Sequence, residues 1–167
     1  MSSVKSIPEG FNTLTPHIIV KDGVQAIEFY KKAFGAEETG CNMLTPEGKI
    51  MHAEIKIGNS MLMLCEENAE WGCLSPATIG NTSVTLSLYV ENADSAFEKA
   101  VGAGAVVKMP LADMFWGDRY GQVTDPSGHI WAICTHIKDL TNEEITKAGI
   151  EAMAQYKGKE GECAAKA

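Results

Sequence analysis

The residues Val20-Lys21-Asp22 and Ala26-Ile27-Glu28 recur as Val90-Glu91-Asn92 and Ala96-Phe97-Glu98, at a constant offset of 70 residues. In each copy an apolar run leads into a turn and then into apolar residues at helical spacing. A repeat of this length is one supersecondary unit, and such a unit cannot bury its apolar face without a neighbour. We therefore expect the two copies to close one core between them, with a small-molecule cavity where they meet.

Alternation and turn signals extend each copy into the order β-α-β-β-β. The strand, helix and three strands are predicted at 14–20, 24–34, 36–43, 50–57 and 60–65 in the first copy, and at 83–90, 93–102, 106–109, 120–124 and 130–135 in the second. Between the copies lies a polar stretch that contains Ser-Pro and Gly-Asn, which indicates a linker.

The predicted fold class is α+β, with tandem βαβββ modules in a single domain at 13–139. The modules span 13–66 and 82–136, and the linker spans 67–81. A capping box that begins at Thr141 predicts an added C-terminal helix at 140–157. We expect a flexible lead-in at 1–12 and a disordered tail at 158–167.

The charge balance limits the partners of the protein. Its 14 basic and 22 acidic residues give a net charge of −8, which argues against a nucleic acid or an anionic membrane as a partner. There is no apolar run of membrane-spanning length, and the first residues lack the apolar stretch of a secretion signal. The five cysteines share no Cys-x-x-Cys spacing, which favours a reducing cytosol over a disulfide framework or a structural zinc site.

Several stretches resemble the vicinal oxygen chelate superfamily, which includes glyoxalase I, the extradiol dioxygenases and the bleomycin-resistance proteins. More narrowly, the chain resembles the PhnB-like branch of that superfamily over residues 12–150. The stretches that carry the resemblance are Leu14–Val20, Ala26–Gly35, His52–Ile55, Phe115–Gly121, Asp125–His129 and Thr135-His136. The resemblance implies the glyoxalase-like fold and a homodimer. It implies much less about chemistry, because one fold serves many functions.

Enzymes of this superfamily hold a divalent metal ion with His, Glu or Gln from the first and last strands of each module. The matching positions in this chain are Thr15, Met63, Thr85 and Ala132. These side chains lack the imidazole or carboxylate donors that Zn, Ni and Fe prefer. The resemblance therefore implies the fold without its usual metal centre, and we expect no cofactor.

A relocated metal site is the alternative. His17 lies two residues beyond Thr15, on the same face of its predicted strand. His52 and Glu54 share one face of the third strand. Together these residues provide three ligands for Zn, Ni or Fe with an open position, and Glu54 becomes the candidate catalytic base. In the other interpretation His17 lines the cavity as a hydrogen-bonding group, while His52 and Glu54 face solvent.

The predicted loop at 113–119, with Tyr120 at the start of the next strand, brings aromatic and charged side chains together. In a binding site, Trp116 walls the cavity, Arg119 grips an anionic group and Tyr120 donates a hydrogen bond. Met63 lines the same cavity as a flexible apolar side chain. In a structural interpretation, Asp118 and Arg119 tie the loop down and Trp116 plugs the end of the sheet.

These observations predict a cytoplasmic PhnB-like protein that binds a small polar or anionic organic molecule in the module cavity. The first alternative is a metal-dependent, glyoxalase-like lyase or isomerase that uses His17, His52 and Glu54. The second is a drug-sequestering protein similar to the bleomycin-resistance members. The sequence has no Gly-rich strand-to-helix loop for a nucleotide or S-adenosylmethionine, so it does not support a methyltransferase.

Overall fold

A computed structural model describes residues 4–164, with side chains described at 4–40 and 42–154. The first module contains β1 (His17–Val20), α1 (Gly23–Phe34), β2 (Glu37–Leu44), β3 (Ile50–Ile57) and β4 (Ser60–Glu66). The linker holds one 3-10 turn (Ala69–Trp71) and the short helix α2 (Pro76–Ile79). The second module contains β5 (Thr85–Tyr89), α3 (Ala93–Gly102), β6 (Val106–Asp113), β7 (Asp118–Thr124) and β8 (Ile130–His136), and α4 (Asn142–Ala164) follows.

Each module folds into one four-stranded sheet, and the two sheets have the same topology. The strand orders are β1-β4-β3-β2 and β5-β8-β7-β6. The first strand of each module runs parallel to its last strand, and the other neighbours are antiparallel. The prediction of an α+β fold from tandem βαβββ modules with an added C-terminal helix is therefore confirmed.

The repeated residues at the two turns are helix caps. The side chain of Asp22 accepts a hydrogen bond from the backbone N–H of Gln25 and starts α1. Seventy residues later, Asn92 accepts from the N–H of Ser95 and starts α3. Both residues satisfy a donor that the first turn of a helix leaves unpaired, which explains why an Asp or Asn stands at this position in each copy.

Some boundaries differ from the prediction. β1 begins at His17 rather than at residue 14, because Thr15 bonds back to the carbonyl of Asn12 in a turn. β6 continues through Pro110 to Asp113, which an outer strand of a sheet permits because its free edge needs no donor. α4 extends to Ala164, beyond the predicted end at 157, and residues 165–167 of the predicted tail lie outside the described part.

The core forms where α1 and α3 pack against each other and against one face of each sheet. Ile55 and Leu64 are fully buried on the helix side of the first sheet, and Val123 and Ile133 are fully buried on the helix side of the second. Alternation directs the other side chains away from the helices. We call these surfaces the first open face, formed by His17, His52, Glu54, Met63 and Cys65, and the second open face, formed by Tyr89, Asp118, Tyr120, Gln122, Cys134 and His136.

No helix in the described part has the length and apolar character that a membrane crossing requires.

Candidate functional site

The first open face brings four of the predicted site residues together. His17 on β1 and Glu54 on β3 both lie directly opposite Met63, which occupies the strand between them. The imidazole rings of His17 and His52 approach edge to face, with 5.7 Å between ring centroids. His52 Nε2 lies 3.4 Å from Glu54 Oε1. Two imidazoles and a carboxylate thus lie near one another on the face that Met63 shares.

Most side chains of the first open face are partly sheltered from water, whereas that of His17 is exposed. The side chains of His52 and Glu54 are 24% and 20% exposed, so they are not fully solvated strand residues. Burial, assisted by the neighbouring His52, lowers the pKa of His17 below its usual value of 6.5. A neutral His17 offers one donor nitrogen and one acceptor nitrogen. A small cavity of about 100 Å³ adjoins this face, and His17, Cys65 and Trp71 are among its lining residues.

The donors at the family's usual ligand positions do not fit a divalent metal ion. Thr15 lies before β1 and its hydroxyl is used by the carbonyl of Asn12, while Ala132 is a fully buried apolar residue. Within the described part of the chain, no three His, Cys, Asp or Glu side chains are grouped closely enough to hold a metal ion. His17, His52 and Glu54 therefore lie near one another without forming a metal-binding geometry.

The second open face contains a hydrogen-bonded cluster centred on Asp118, whose exposed fraction is only 5%. Asp118 Oδ2 accepts from the hydroxyl of Tyr89 at 2.8 Å and from the indole N–H of Trp116 at 3.1 Å. Asp118 Oδ1 lies 2.8 Å from Nδ1 of His136, whose Nε2 lies 3.1 Å from Asp139 Oδ1. Three ring side chains from three different segments thus meet at one carboxylate.

These contacts change the titration of the cluster. Burial alone would raise the pKa of Asp118, but hydrogen bonds from His136, Tyr89 and Trp116 lower it below the usual value. The same hydrogen bond and burial raise the pKa of Tyr89 to about 12. The carboxylates of Asp118 and Asp139 raise the pKa of His136. The cluster therefore favours an ionised Asp118 next to a protonated His136.

Arg119 does not share the second open face with Trp116 and Tyr120. Consecutive strand residues point to opposite sides of a sheet, and Arg119 lies on the side of α3. Its guanidinium bonds the carboxylate of Asp94 at 2.6 Å and that of Asp113 at 3.1 Å. The guanidinium that was predicted to bind an anionic ligand is thus paired with two acidic residues. This pairing agrees with the alternative interpretation, in which Arg119 has a structural role.

Trp116 and Tyr120 do lie together, with ring centroids 5.4 Å apart in an edge-to-face arrangement. The hydroxyl of Tyr120 accepts a hydrogen bond from Gln122 at 2.6 Å. Sequence reasoning did not select Tyr89 and His136 as site residues, and it treated Asp118 as a structural residue only. Strand alternation places Asp118 on the same face as Tyr120 and could have identified it as a site residue. Nothing in the local sequence indicates its contact with Tyr89.

A groove of about 420 Å³ lies where the two modules meet, in the region where the repeat predicts a cavity. Its walls come from both modules and are mainly apolar; they include Pro16, Met61, Leu62, Leu86, Leu88 and Trp131. The residues predicted for the site lie elsewhere. His17, His52, Glu54 and Met63 lie on the first open face, Trp116 and Tyr120 lie at the second, and Arg119 lies on the α3 side of its sheet.

A sequence model of the Glyoxalase/Bleomycin resistance protein/Dioxygenase superfamily matches residues 10–133, which include the first module and the second as far as the middle of β8. The chain belongs to this superfamily. An uncharacterized protein of Mycobacterium bovis, Mb0911c, is 39% identical over 138 residues, which are 81% of this chain and 90% of that protein.

Solved structures show the same relationship in three dimensions. The structure of the Arabidopsis thaliana gene product At5g48480 is 31% identical to this chain, with a TM-score of 0.59 over 73% of this chain and 97% of that one. A PhnB protein from Bacillus cereus is 17% identical, with a TM-score of 0.57 over 76% of this chain and 100% of that one. At 17% identity the likeness concerns the fold alone.

Proposed function

We propose that this superfamily member binds a small polar or anionic organic molecule on the first open face, without a resident divalent metal ion. The observation that carries the proposal is the proximity of His17, His52 and Glu54 on the partly sheltered face that Met63 shares. Ligand sites commonly combine apolar walls with a few convergent polar groups, and this arrangement has that composition.

The donors and acceptors on this face limit the chemistry of the ligand. The imidazole N–H groups of His17 and His52 suit a carbonyl or carboxylate oxygen, and the carboxylate of Glu54 suits a hydroxyl or amine. Arg119 takes no part, because its guanidinium is paired with Asp94 and Asp113. A small hydroxy or oxo carboxylic acid carries a carboxylate together with a hydroxyl or carbonyl group, and its size suits this face.

The proposal is tested by measuring the melting temperature with a panel of small 2-hydroxy and 2-oxo carboxylic acids. A ligand that binds only the folded protein raises the melting temperature. We expect at least one acid to do so, and we expect the increase to disappear in His17→Ala and His52→Ala. The exposed turn variant Glu47→Gln is the control and keeps the increase. The proposal fails if no acid raises the melting temperature, or if the increase survives in both histidine variants.

A metal-dependent, glyoxalase-like lyase or isomerase is the second candidate. It requires His17, His52 and Glu54 to come closer than in this structure, where they are neighbours but are not grouped closely enough to hold a metal ion. In that enzyme the three residues would hold Zn, Ni or Fe, the ion would supply Lewis acidity, and Glu54 would be the proton acceptor. Elemental analysis of protein purified without chelators separates the candidates. A stoichiometric metal that is lost in His17→Ala and Glu54→Ala supports the enzyme, whereas metal-free protein that binds the acids supports the first proposal.

We further propose that the protein is a cytosolic homodimer, as is common in its superfamily. The thiols of Cys65, Cys73 and Cys134 are unpaired in the described part of the chain, which suits a reducing compartment.

A drug-sequestering role of the bleomycin-resistance type would place the ligand in a cleft between two copies. Light scattering after gel filtration measures the mass, and a monomer would contradict the homodimer.

A further inference from the structure

A groove of about 600 Å³ lies at the margin of the second open face, between β6, the turn after it and α4. Small-molecule sites in proteins have volumes of about 300–1,000 Å³, so the groove has the size of a ligand site. Its walls are Met109, Ala112, Asp113, Met114, Phe115, Ala152 and Met153. None of these residues contributes to the first open face.

The lining of this groove is apolar and adaptable. Three thioethers and one phenyl ring line it, and methionine side chains adjust to flat aromatic surfaces and make favourable sulfur–aromatic contacts. Asp113 is the one charged residue among the walls, and its carboxylate shares the guanidinium of Arg119, at 3.1 Å, with Asp94. The walls therefore offer no cationic group to an anionic ligand, and their one carboxylate is already held in an ion pair.

Aromatic rings form a fixed floor beside the groove. Phe115 packs edge to face against Trp116 with 4.9 Å between centroids, and Trp116 packs in the same way against Tyr120. The hydrogen bond from Trp116 to the buried Asp118 holds this row in place. Preorganised rings lose little conformational entropy when they bind a ligand.

The contact between Phe115 and Gly149 seats α4 over the groove. A Cβ at position 149 would lie 3.1 Å from Phe115 Cε2, which is closer than an ordinary van der Waals contact, so the ring packs against the bare backbone of α4. Glycine inside a helix lowers its stability by about 1 kcal/mol relative to alanine. Here the missing side chain lets α4 approach the ring closely. Phe115 and Met153 nevertheless remain 39% and 72% exposed, which leaves apolar surface for a ligand to cover.

We propose that the groove between β6 and α4 binds an uncharged, flat aromatic molecule. The ring of the ligand lies against Phe115 and is enclosed by the thioethers of Met109, Met114 and Met153. This site is independent of the proposed acid-binding site, because the two use different residues on different sheets.

The experiment uses N-phenyl-1-naphthylamine, an uncharged aromatic probe whose fluorescence rises in an apolar site. We expect saturable enhancement with the full-length protein. Ala152→Phe fills the groove and weakens binding by about tenfold or more, whereas Ala154→Phe, on the same helix but outside the groove, leaves it unchanged. Ala112→Phe fills the groove from β6 and repeats the test without altering α4.

Circular dichroism and melting temperature verify that each variant is folded. His17→Ala is expected to retain probe binding, which separates this site from the first open face. The proposal is overturned if the wild type gives no saturable enhancement, or if both filling variants bind as the wild type does. It is also overturned if probe binding falls as the protein concentration rises, because a second copy of the chain then covers the groove.

Discussion

The hydroxyl of Tyr30 donates a hydrogen bond of 2.7 Å to Asp125 Oδ2, and this buried contact joins the two modules. Tyr30 belongs to α1 of the first module, whereas Asp125 opens the turn between β7 and β8 of the second. The indole N–H of Trp131 donates to the same oxygen at 3.0 Å. Oδ1 accepts from the backbone N–H groups of Ser127 and His129, so one carboxylate holds its own turn and binds the opposite module.

Tyr30→Phe is expected to destabilise the protein by about 1–3 kcal/mol, because it leaves the buried Asp125 carboxylate short of one donor. Urea denaturation measures the change in the free energy of unfolding. Tyr120→Phe is the matched control, since its hydroxyl is only partly buried and Gln122 can bond water instead. An equal loss of unfolding free energy in the two variants would show that the contact between modules stabilises the protein no more than an ordinary tyrosine hydrogen bond does.

The same contact predicts a loss of stability in alkali. Burial, the charge of Asp125 and the hydrogen bond to it raise the pKa of Tyr30 well above its usual value. The folded state therefore favours the protonated phenol, and the resulting stability is complete below about pH 10 and declines above it. Urea midpoints from pH 9 to 11 are expected to fall less steeply in Tyr30→Phe than in the wild type. Equal slopes would contradict the prediction.

The sequence predicted the module architecture because its signals are local and repeated. Asp22 and Asn92 cap their helices within three residues, and the predicted bounds of β3 and α3 agree with the structure. The length of β6 was not predictable in this way. Proline is tolerated in a strand only at a sheet edge, and whether Pro110 lies at an edge depends on the strand order rather than on its neighbours.

The site was predictable only where strand parity decided it. Alternation placed His52 and Glu54 on one face, and the structure has them there. Arg119 and Tyr120 were grouped because they are adjacent in sequence, although adjacent strand residues point to opposite faces. One partner of Asp118 is Tyr89, which lies 29 residues away on a strand that does not pair with β7, and no local pattern encodes such a contact.

Gly23 is expected to be intolerant of substitution because α1 approaches β3 closely at this point. A Cβ at position 23 would lie 2.3 Å from Ile50 Cγ1 and 2.5 Å from Ile50 Cβ. Gly23→Ala should therefore destabilise the protein by about 1–3 kcal/mol through overpacking. Gly102→Ala is the control, since no atom lies within 4 Å of its Cβ, and it should be neutral or stabilising. Thermal denaturation of both variants measures the difference, and a neutral Gly23→Ala would contradict the close approach.

The imidazole of His17 is expected to titrate below its usual pKa of 6.5, because burial and the neighbouring His52 disfavour its charged form. Because the folded state favours the neutral ring, the associated stability is fully present above about pH 6.5. It is lost as the pH falls through the pKa of the folded state. NMR titration of the ring resonances measures this value. His52→Ala should raise the pKa of His17 part of the way back, and a value at or above 6.5 in the wild type would show that the two rings do not share a sheltered face.

His136 and Asp118 are expected to stabilise the fold most strongly in mild acid. The raised pKa of His136 gives a contribution that is complete below about pH 6.5 and is lost as the pH rises through the folded pKa. The lowered pKa of Asp118 gives a contribution that is present above about pH 3.9 and is lost below it. His136→Gln should therefore lower the urea midpoint more at about pH 5.5 than at about pH 8.5. His129→Gln is the control histidine, since its Nε2 contacts the backbone carbonyl of Ile19 rather than a carboxylate. A His136→Gln effect that does not change with pH would mean that the ring is held by packing and not by its charge.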